Sequence, residues 1–212
     1  MENPVLILGA KGIGLAALEI FKSNNVTVFG FLDDDNKLHG KEIDEVTVLG
    51  STDDEGFTKL IGKKCEAFVA VENQKLKQSL TEFLLDMRKI MPVNAIHAKA
   101  YLSKMALIGH GNFVNAGASI QAGVKLGNHC VVHTNAVIDH ESVVEDFVQI
   151  GAGTVVGSAV TIEEGAFIGS GVTIISGITI GKGARVGAGS VVMAPVKAKQ
   201  TVFGVPAVVT TV

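Results

Sequence analysis

From Ile108 onward an aliphatic residue returns every six positions without a break: Ile108, Val114, Ile120, Leu126, Val132, Ile138, Val144, Ile150, Val156, Ile162, Ile168, Ile174, Ile180, Val186 and Val192. The next residue is often glycine, as at Gly109, Gly127, Gly151, Gly157, Gly169, Gly181 and Gly187. Four places after the aliphatic sits a small or β-branched residue, such as Ala118, Cys130, Ala136, Thr154, Val172 or Ser190. A period of six is neither the 3.6 of an amphipathic helix nor the two of a long strand. Strict self-similarity of this kind marks a stacked repeat. Each unit is expected to be a short strand and a sharp bend, with three units closing one triangular coil. The aliphatic side chain fills the interior, its small neighbour leaves it room, and the glycine takes the backbone conformation of the bend. Coils then stack at the strand spacing of about 4.8 Å, each pairing with the one above and below.

The first hundred residues follow another pattern. Val5-Leu6-Ile7-Leu8 is a short, fully apolar run that predicts a buried strand, and it leads into Gly9-Ala10-Lys11-Gly12-Ile13-Gly14. A helix is expected from about Leu15 to Ser23 and a second strand over Val26–Leu32, ending at Asp33-Asp34-Asp35. Ala67–Val71 predicts another strand, and Gln74–Lys89 a helix that stops before Pro92. Strands alternating with helices predict a small, Rossmann-like three-layer α/β domain with a parallel sheet. The expected division is residues 1–92 and 93–212, with a linker near Pro92–Ser103 and an extension closing the C-terminal end.

Composition supports this picture. Hydrophobic residues make up 47%, yet aromatics only 5%, Trp is absent and glycines number 25, which suits many short Val- and Ile-rich strands. A net charge of −3 leaves no basic footprint, so nucleic acid is not an expected partner. No run approaches the roughly 18–20 apolar residues of a membrane span, and Met1-Glu2-Asn3-Pro4 has no positively charged leader. Cys65 and Cys130 fall in different halves without metal spacing, which points to a reduced, cytoplasmic setting.

The glycine loop after the first strand has two readings. Glycines let a backbone approach a phosphate, and the following helix offers free N–H groups to an anion. An acidic residue at the end of the second strand can accept hydrogen bonds from a ribose. The spacing is G-x-x-G-x-G rather than the dinucleotide G-x-G-x-x-G, so a nucleotide or nucleotide-sugar site stands beside a purely structural tight turn.

The two halves together resemble one family. VLILGAKGIG, FGFLDDD, AVIDHESVVEDFVQIGAGTVV and the closing VFGVPA are similar to segments of the sugar O- and N-acetyltransferases related to sialic acid O-acetyltransferase and bacterial UDP-amino-sugar N-acetyltransferase. The resemblance covers nearly the whole chain. It implies a left-handed parallel β-helix for the repeat, acetyl-coenzyme A as cosubstrate with no metal, a nucleotide-linked sugar on the N-terminal domain, and a homotrimer. The substrate residues it implies are Ala10, Lys11, Gly12, Asp33, Asp34 and Glu72. This chain departs from the relatives in having Lys11 and Ile13 in the glycine loop, and Val71-Glu72-Asn73 where a glycine usually precedes Asn or Asp.

His140 follows the inward Ile138 by two places, so its ring should leave the prism, where a neutral imidazole suits base catalysis. By resemblance it takes the proton from the sugar amine or hydroxyl, and Glu141 is its acidic partner, with Asp139 competing for that role. The alternative is a solvated surface histidine. Ser158 lies eighteen residues on and offers a backbone N–H to the developing oxyanion. Gln149 replaces a histidine that relatives place against the thioester. Coenzyme A is expected to pass Ser170 and Ala188, with Lys182, Arg185, Lys197 and Lys199 near its phosphates. Two other functions fit the same prism. One is a zinc enzyme of the γ-carbonic-anhydrase kind using His110, His129, His133 and His140. The other is a non-catalytic trimeric scaffold that binds a sugar or nucleotide.

Overall fold

The structure, a computed structural model, describes residues 3–210. It divides into two compact units between Ala98 and Lys99.

The N-terminal unit is a five-stranded sheet with β1 (Val5–Leu8), β2 (Val28–Leu32), β3 (Glu42–Ile43), β4 (Val46–Gly50) and β5 (Glu66–Val69) in the order β3-β4-β2-β1-β5. All neighbours are parallel except β3, which returns antiparallel on β4. The four residues of β1 are all buried, as expected of a strand covered on both faces. Their alternation sorts them. Leu6 and Leu8, with Leu32, Ala67 and Val69, pack with Leu80 and Leu84 from the region of α3 (Gln74–Phe83). On the other face Phe68 meets Phe21 of α1 (Ile13–Ser23), edge to face, with ring centroids 5.7 Å apart.

The helices begin and end for local reasons. Asn73 caps α3, its side-chain oxygen accepting from Leu76 N at 3.0 Å. The helix expected over Gln74–Lys89 is α-helical to Phe83, continues as a π-turn over Leu84–Arg88, and stops at Lys89, which is left-handed at φ 57°. Helix α1 starts at Ile13, two residues before the expected Leu15. Three elements went unread: β3, β4, and the four-residue helix over Glu55–Thr58.

The C-terminal unit is a left-handed parallel β-helix. Each of the fifteen aliphatic positions is the second residue of a two-residue strand, and all but Ile108 are buried. Burying each such Val or Ile side chain is worth about 1.5–3 kcal/mol. Partners are eighteen residues apart in each face, as in Ser119↔Val137, Lys125↔Val143 and Val131↔Gln149. The register reaches at least one unit earlier than the sequence pattern implies, to Leu102. It shortens at the far end, where Ile180 bridges to Val196 and Val186 pairs with Val202, both sixteen apart.

The bends lie two places beyond the glycines assigned to them. Positive φ falls on every sixth residue from Gly111 to Gly189, including the non-glycine residues His129, Asn135, Glu141, Phe147 and Ala159. The glycines that directly follow the aliphatics have another reason to be glycine. A Cβ at Gly169 would stand 2.6 Å from Ala188 N of the next coil, and one at Gly127 2.9 Å from Asp146 N. Close stacking of coils, not a bend, excludes a side chain there. The small position four places on is buried, and where polar it bridges coils. Asn112 Nδ2 donates to Gly127 O at 2.9 Å, Ser142 Oγ to Gly157 O at 3.0 Å and Thr154 Oγ1 to Gly169 O at 2.8 Å. In each pair the acceptor lies fifteen residues on, so each interior polar group is satisfied by the next coil.

Candidate functional site

In the N-terminal unit, β1 has β2 on one side and β5 on the other, so the chain changes direction between β1 and β5. In open α/β sheets ligands bind beyond the carboxyl ends of the strands at such a point. An open cleft of about 280 Å³ lies there, walled by Gly9, Lys11 and Asp33 on one side and by Ala70, Val71, Glu72 and Asn73 on the other. The glycine loop is built by close approach. Gly9 has φ +111°, and a Cβ there would sit 2.9 Å from Ala70 O. Gly14 lies against Gly9 O, which brings α1 down onto the end of β1.

The sequence-assigned residues divide by what they touch. Ala10 is buried and its N–H donates to Asp33 Oδ2 at 2.8 Å. Asp33 Oδ1 also accepts from Asp35 N at 2.9 Å. Lys11 Nζ pairs with Asp35 Oδ2 at 2.6 Å. That bond raises the lysine above its ordinary value and, with help from Lys37 N–H, lowers the Asp35 carboxyl. Asp34 accepts instead from Thr52 N and Oγ1, at 2.9 and 2.8 Å, and ties the end of β2 to the end of β4. Gly12 stands at the start of α1 with φ 49°, and the Glu72 carboxylate lies against it. In the sequence Asp35 is one residue of an acidic run, and its spacing from Lys11 carries no signal.

In the β-helix, His140 stands at a bend with its side chain 56% exposed. Its Nδ1 is 3.7 Å from Glu141 Oε2, within ion-pair reach but longer than a hydrogen bond. The backbone sets this pairing. Glu141 is the left-handed residue of its bend, at φ 60°, a conformation that costs roughly 1–2 kcal/mol outside glycine. Asp139 caps the same corner, accepting from His140 N through Oδ1 at 2.8 Å. Ser158 is tied to the coil beyond, its Oγ bonding Ser176 Oγ at 3.0 Å and its carbonyl accepting from Gly177 N at 2.9 Å. Ser176 was missed, although the eighteen-residue period places it directly after Ser158.

Gln149 Nε2 lies 3.3 Å from His133 Nε2, a contact between neighbouring coils on one face of the prism. Ser170 and Ala188 are both exposed and stacked, with Gly189 N donating to Ser170 O at 2.9 Å. Lys182 is paired with Glu164 at 2.6 Å, which raises its ammonium above the ordinary value. Arg185 lies over the Phe167 ring, 4.5 Å from its centroid. His129 is buried and stacks on Phe147 at 5.0 Å, while His133 meets Phe113 edge to face. Among the described residues no three His, Cys, Asp or Glu side chains come together to hold a metal ion. None of their helices is long and apolar enough to cross a membrane. Cys65 and Cys130 are free and buried, and burial pushes the Cys65 thiol up to about 11.

A Rossmann-like unit followed by a parallel β-helix is the architecture of the hexapeptide-repeat sugar acyltransferases. Comparison with known proteins agrees. The bacterial transferase hexapeptide family model matches residues 105–140, 141–176 and 159–194, and the PglD N-terminal domain model matches residues 4–84. PerB from Caulobacter crescentus, solved with CoA and GDP-perosamine, is 30% identical with a TM-score of 0.87, covering 98% of this chain and 97% of that one. A histidine-to-alanine mutant of GDP-perosamine N-acetyltransferase from the same organism, also with CoA and GDP-perosamine, is 29% identical with a TM-score of 0.90 and the same coverage. The acetyltransferase domain of PglB from Neisseria gonorrhoeae, in complex with acetyl coenzyme A, is 28% identical with a TM-score of 0.90, covering 99% of this chain and 100% of that one. The chain belongs to the sugar O- and N-acetyltransferase family of hexapeptide-repeat, left-handed β-helix acyltransferases.

Proposed function

We propose that the protein transfers the acetyl group of acetyl-coenzyme A directly to an amino or hydroxyl group of a nucleotide-linked sugar or sialic acid. The observation that carries this reading is the exposed His140 ring beside the Glu141 carboxylate at a bend of the β-helix. With Nδ1 turned to Glu141, Nε2 takes the proton from the substrate nitrogen or oxygen. That atom attacks the acetyl carbonyl, the carbon–sulfur bond breaks, and the imidazolium passes its proton to the departing sulfur, so coenzyme A leaves as its thiol. The Glu141 carboxylate orients the imidazole and favours the cation formed when the proton arrives. The Ser158 N–H faces the developing oxyanion, and the ties of Ser158 to the next coil hold it there. Gln149 donates toward the thioester end. Ser170 and Ala188, small and exposed, leave the pantetheine a path along the prism.

The acceptor's nucleotide end belongs to the N-terminal unit, residues 1–92 in our division, with Ala10, Lys11, Gly12, Asp33, Asp34 and Glu72 as its binding residues; residues 93–212 form the transfer domain. The first three form the glycine loop at the carboxyl end of β1, where such folds bind ligands. Asp34 is held at the end of β2 by its bonds from Thr52. We infer a homotrimer working in the cytoplasm, where two buried free thiols are at home.

The test is release of free coenzyme A thiol from acetyl-coenzyme A against UDP-, GDP- and dTDP-linked amino sugars, CMP-sialic acid and free sialic acid. The expected result is turnover with one class, lost by about 10²–10⁴-fold in His140→Ala while coenzyme A binding survives. Turnover that persists in the mutant removes His140 from the chemistry. No turnover and no acetyl-coenzyme A binding would overturn the enzyme reading in favour of a binding scaffold.

A further inference from the structure

Two donors that the glycine loop can offer to phosphate are met here by acidic side chains of the same domain, and a third acidic side chain lies against the loop. The Ala10 N–H is taken by Asp33 Oδ2 and the Lys11 ammonium by Asp35. The third donor is the start of α1 itself. That helix has no side-chain cap and no acidic residue in its first turn, so its positive end has no compensation from its own sequence. The carboxylate that lies there comes from the end of β5. A Cβ on Gly12 would run into Glu72 Oε1 and stand 3.3 Å from Glu72 Cδ. Glu72 thus occupies the volume above Gly12 through which a ligand phosphate would reach the helix.

We propose that Glu72 is a specificity-determining residue, an internal anion that keeps phosphate off the glycine loop. The inference rests on the acceptor-binding role assigned above to the N-terminal unit and says which end of the acceptor the cleft takes. Two negative groups a few ångströms apart in a half-enclosed cleft repel, and Lys11, already engaged by Asp35, does little to offset this. The group seated against Gly12 is therefore uncharged and donates hydrogen bonds to the carboxylate: a sugar or ribose hydroxyl, or a nucleobase N–H. The diphosphate of the acceptor points away from the loop.

The experiment is calorimetric titration of the full chain with inorganic pyrophosphate, comparing wild type, Glu72→Gln and Asp44→Asn. Glu72→Gln keeps the shape of an exposed side chain and removes its charge. Asp44→Asn removes one negative charge at the pair with Lys22, away from the cleft. The expected result is pyrophosphate binding at least about tenfold tighter in Glu72→Gln than in wild type, a gap that narrows as salt is raised, with Asp44→Asn like wild type. Equal or weaker binding in Glu72→Gln overturns the proposal, as does the same gain in Asp44→Asn. Thiol release with the nucleotide-sugar panel is run on the same samples. If neither wild type nor Glu72→Gln acetylates any acceptor, the acyl-acceptor reading falls, and pyrophosphate still decides the role of Glu72.

Discussion

Lys11 and Asp35 hold each other at 2.6 Å in a pair open to solvent on the lysine side. The bond depresses the Asp35 carboxyl, so the pair stabilises the fold above the unfolded carboxylate range and loses that contribution as pH falls through the lower, folded value. Lys11 is raised, so at the alkaline end its contribution lasts until pH rises through the folded lysine value. Carboxyl-detected NMR should show Asp35 titrating below the ordinary aspartate range. In Lys11→Met its midpoint should move up but stop short of that range, because Lys37 N–H still donates to Oδ1 at 3.1 Å. An unmoved midpoint would show that the pair does not persist in solution. The run Asp33-Asp34-Asp35 reads in sequence as one acidic patch beside a ribose. Its three carboxylates in fact go to the glycine loop, to Thr52 and to Lys11. That division was not legible, because Thr52 follows β4 and the alternation in Val46–Gly50 is too short to declare a strand without its neighbours.

At the scale of elements the six-residue period was legible because it is enforced by burial, and burial acts on residue type directly. The bends were not, because two constraints both select glycine: a left-handed backbone three places after the aliphatic, and close coil stacking one place after it. The left-handed position also admits Asn135, Glu141 and Phe147, so side-chain identity there is free to serve function, as Glu141 does in the proposed chemistry. The buried polar position was read as merely small. Asn112 shows what size alone hides: its Nδ2 donates to Gly127 O at 2.9 Å and its Oδ1 accepts from Cys130 N at 2.8 Å, joining two coils inside the wall. Asn112→Ala leaves a buried donor and a buried acceptor without these partners, and should cost about 2–3 kcal/mol by urea denaturation. Lys125→Ala, on an exposed strand position, should stay within about 0.5 kcal/mol of wild type. Equal midpoints for the two variants would mean that water replaces the asparagine at no cost.

A stack of coils is close to one-dimensional, so its ends carry a burden its middle does not. Each inner coil is paired above and below, whereas the last would offer a row of unpaired backbone groups to any other strand. Here the last coil is closed by a change of pattern. After the sixteen-residue step the strand Thr201–Phe203 pairs parallel with Arg185–Val186, and Val208–Val209 then turns back antiparallel on it. Val202 is buried at 3% exposure, and the Phe203 ring lies against Gly187, where any side chain would collide with it. The closing VFGVPA segment was read only as a likeness to relatives; its task as a cover was hidden because the shortened step breaks the six-residue period. Removing the chain from Val205 onward should leave Thr201–Phe203 as a bare edge beside a half-exposed phenylalanine. The expected outcome is a lower unfolding temperature and concentration-dependent aggregates in size-exclusion chromatography. The inner coils should keep their β-type circular dichroism, since nearest-neighbour pairing there is untouched. If the shortened chain elutes and melts like the full one, the antiparallel turn is ornament, and the edge is protected by Lys197 and Lys199, the exposed charges of the preceding segment.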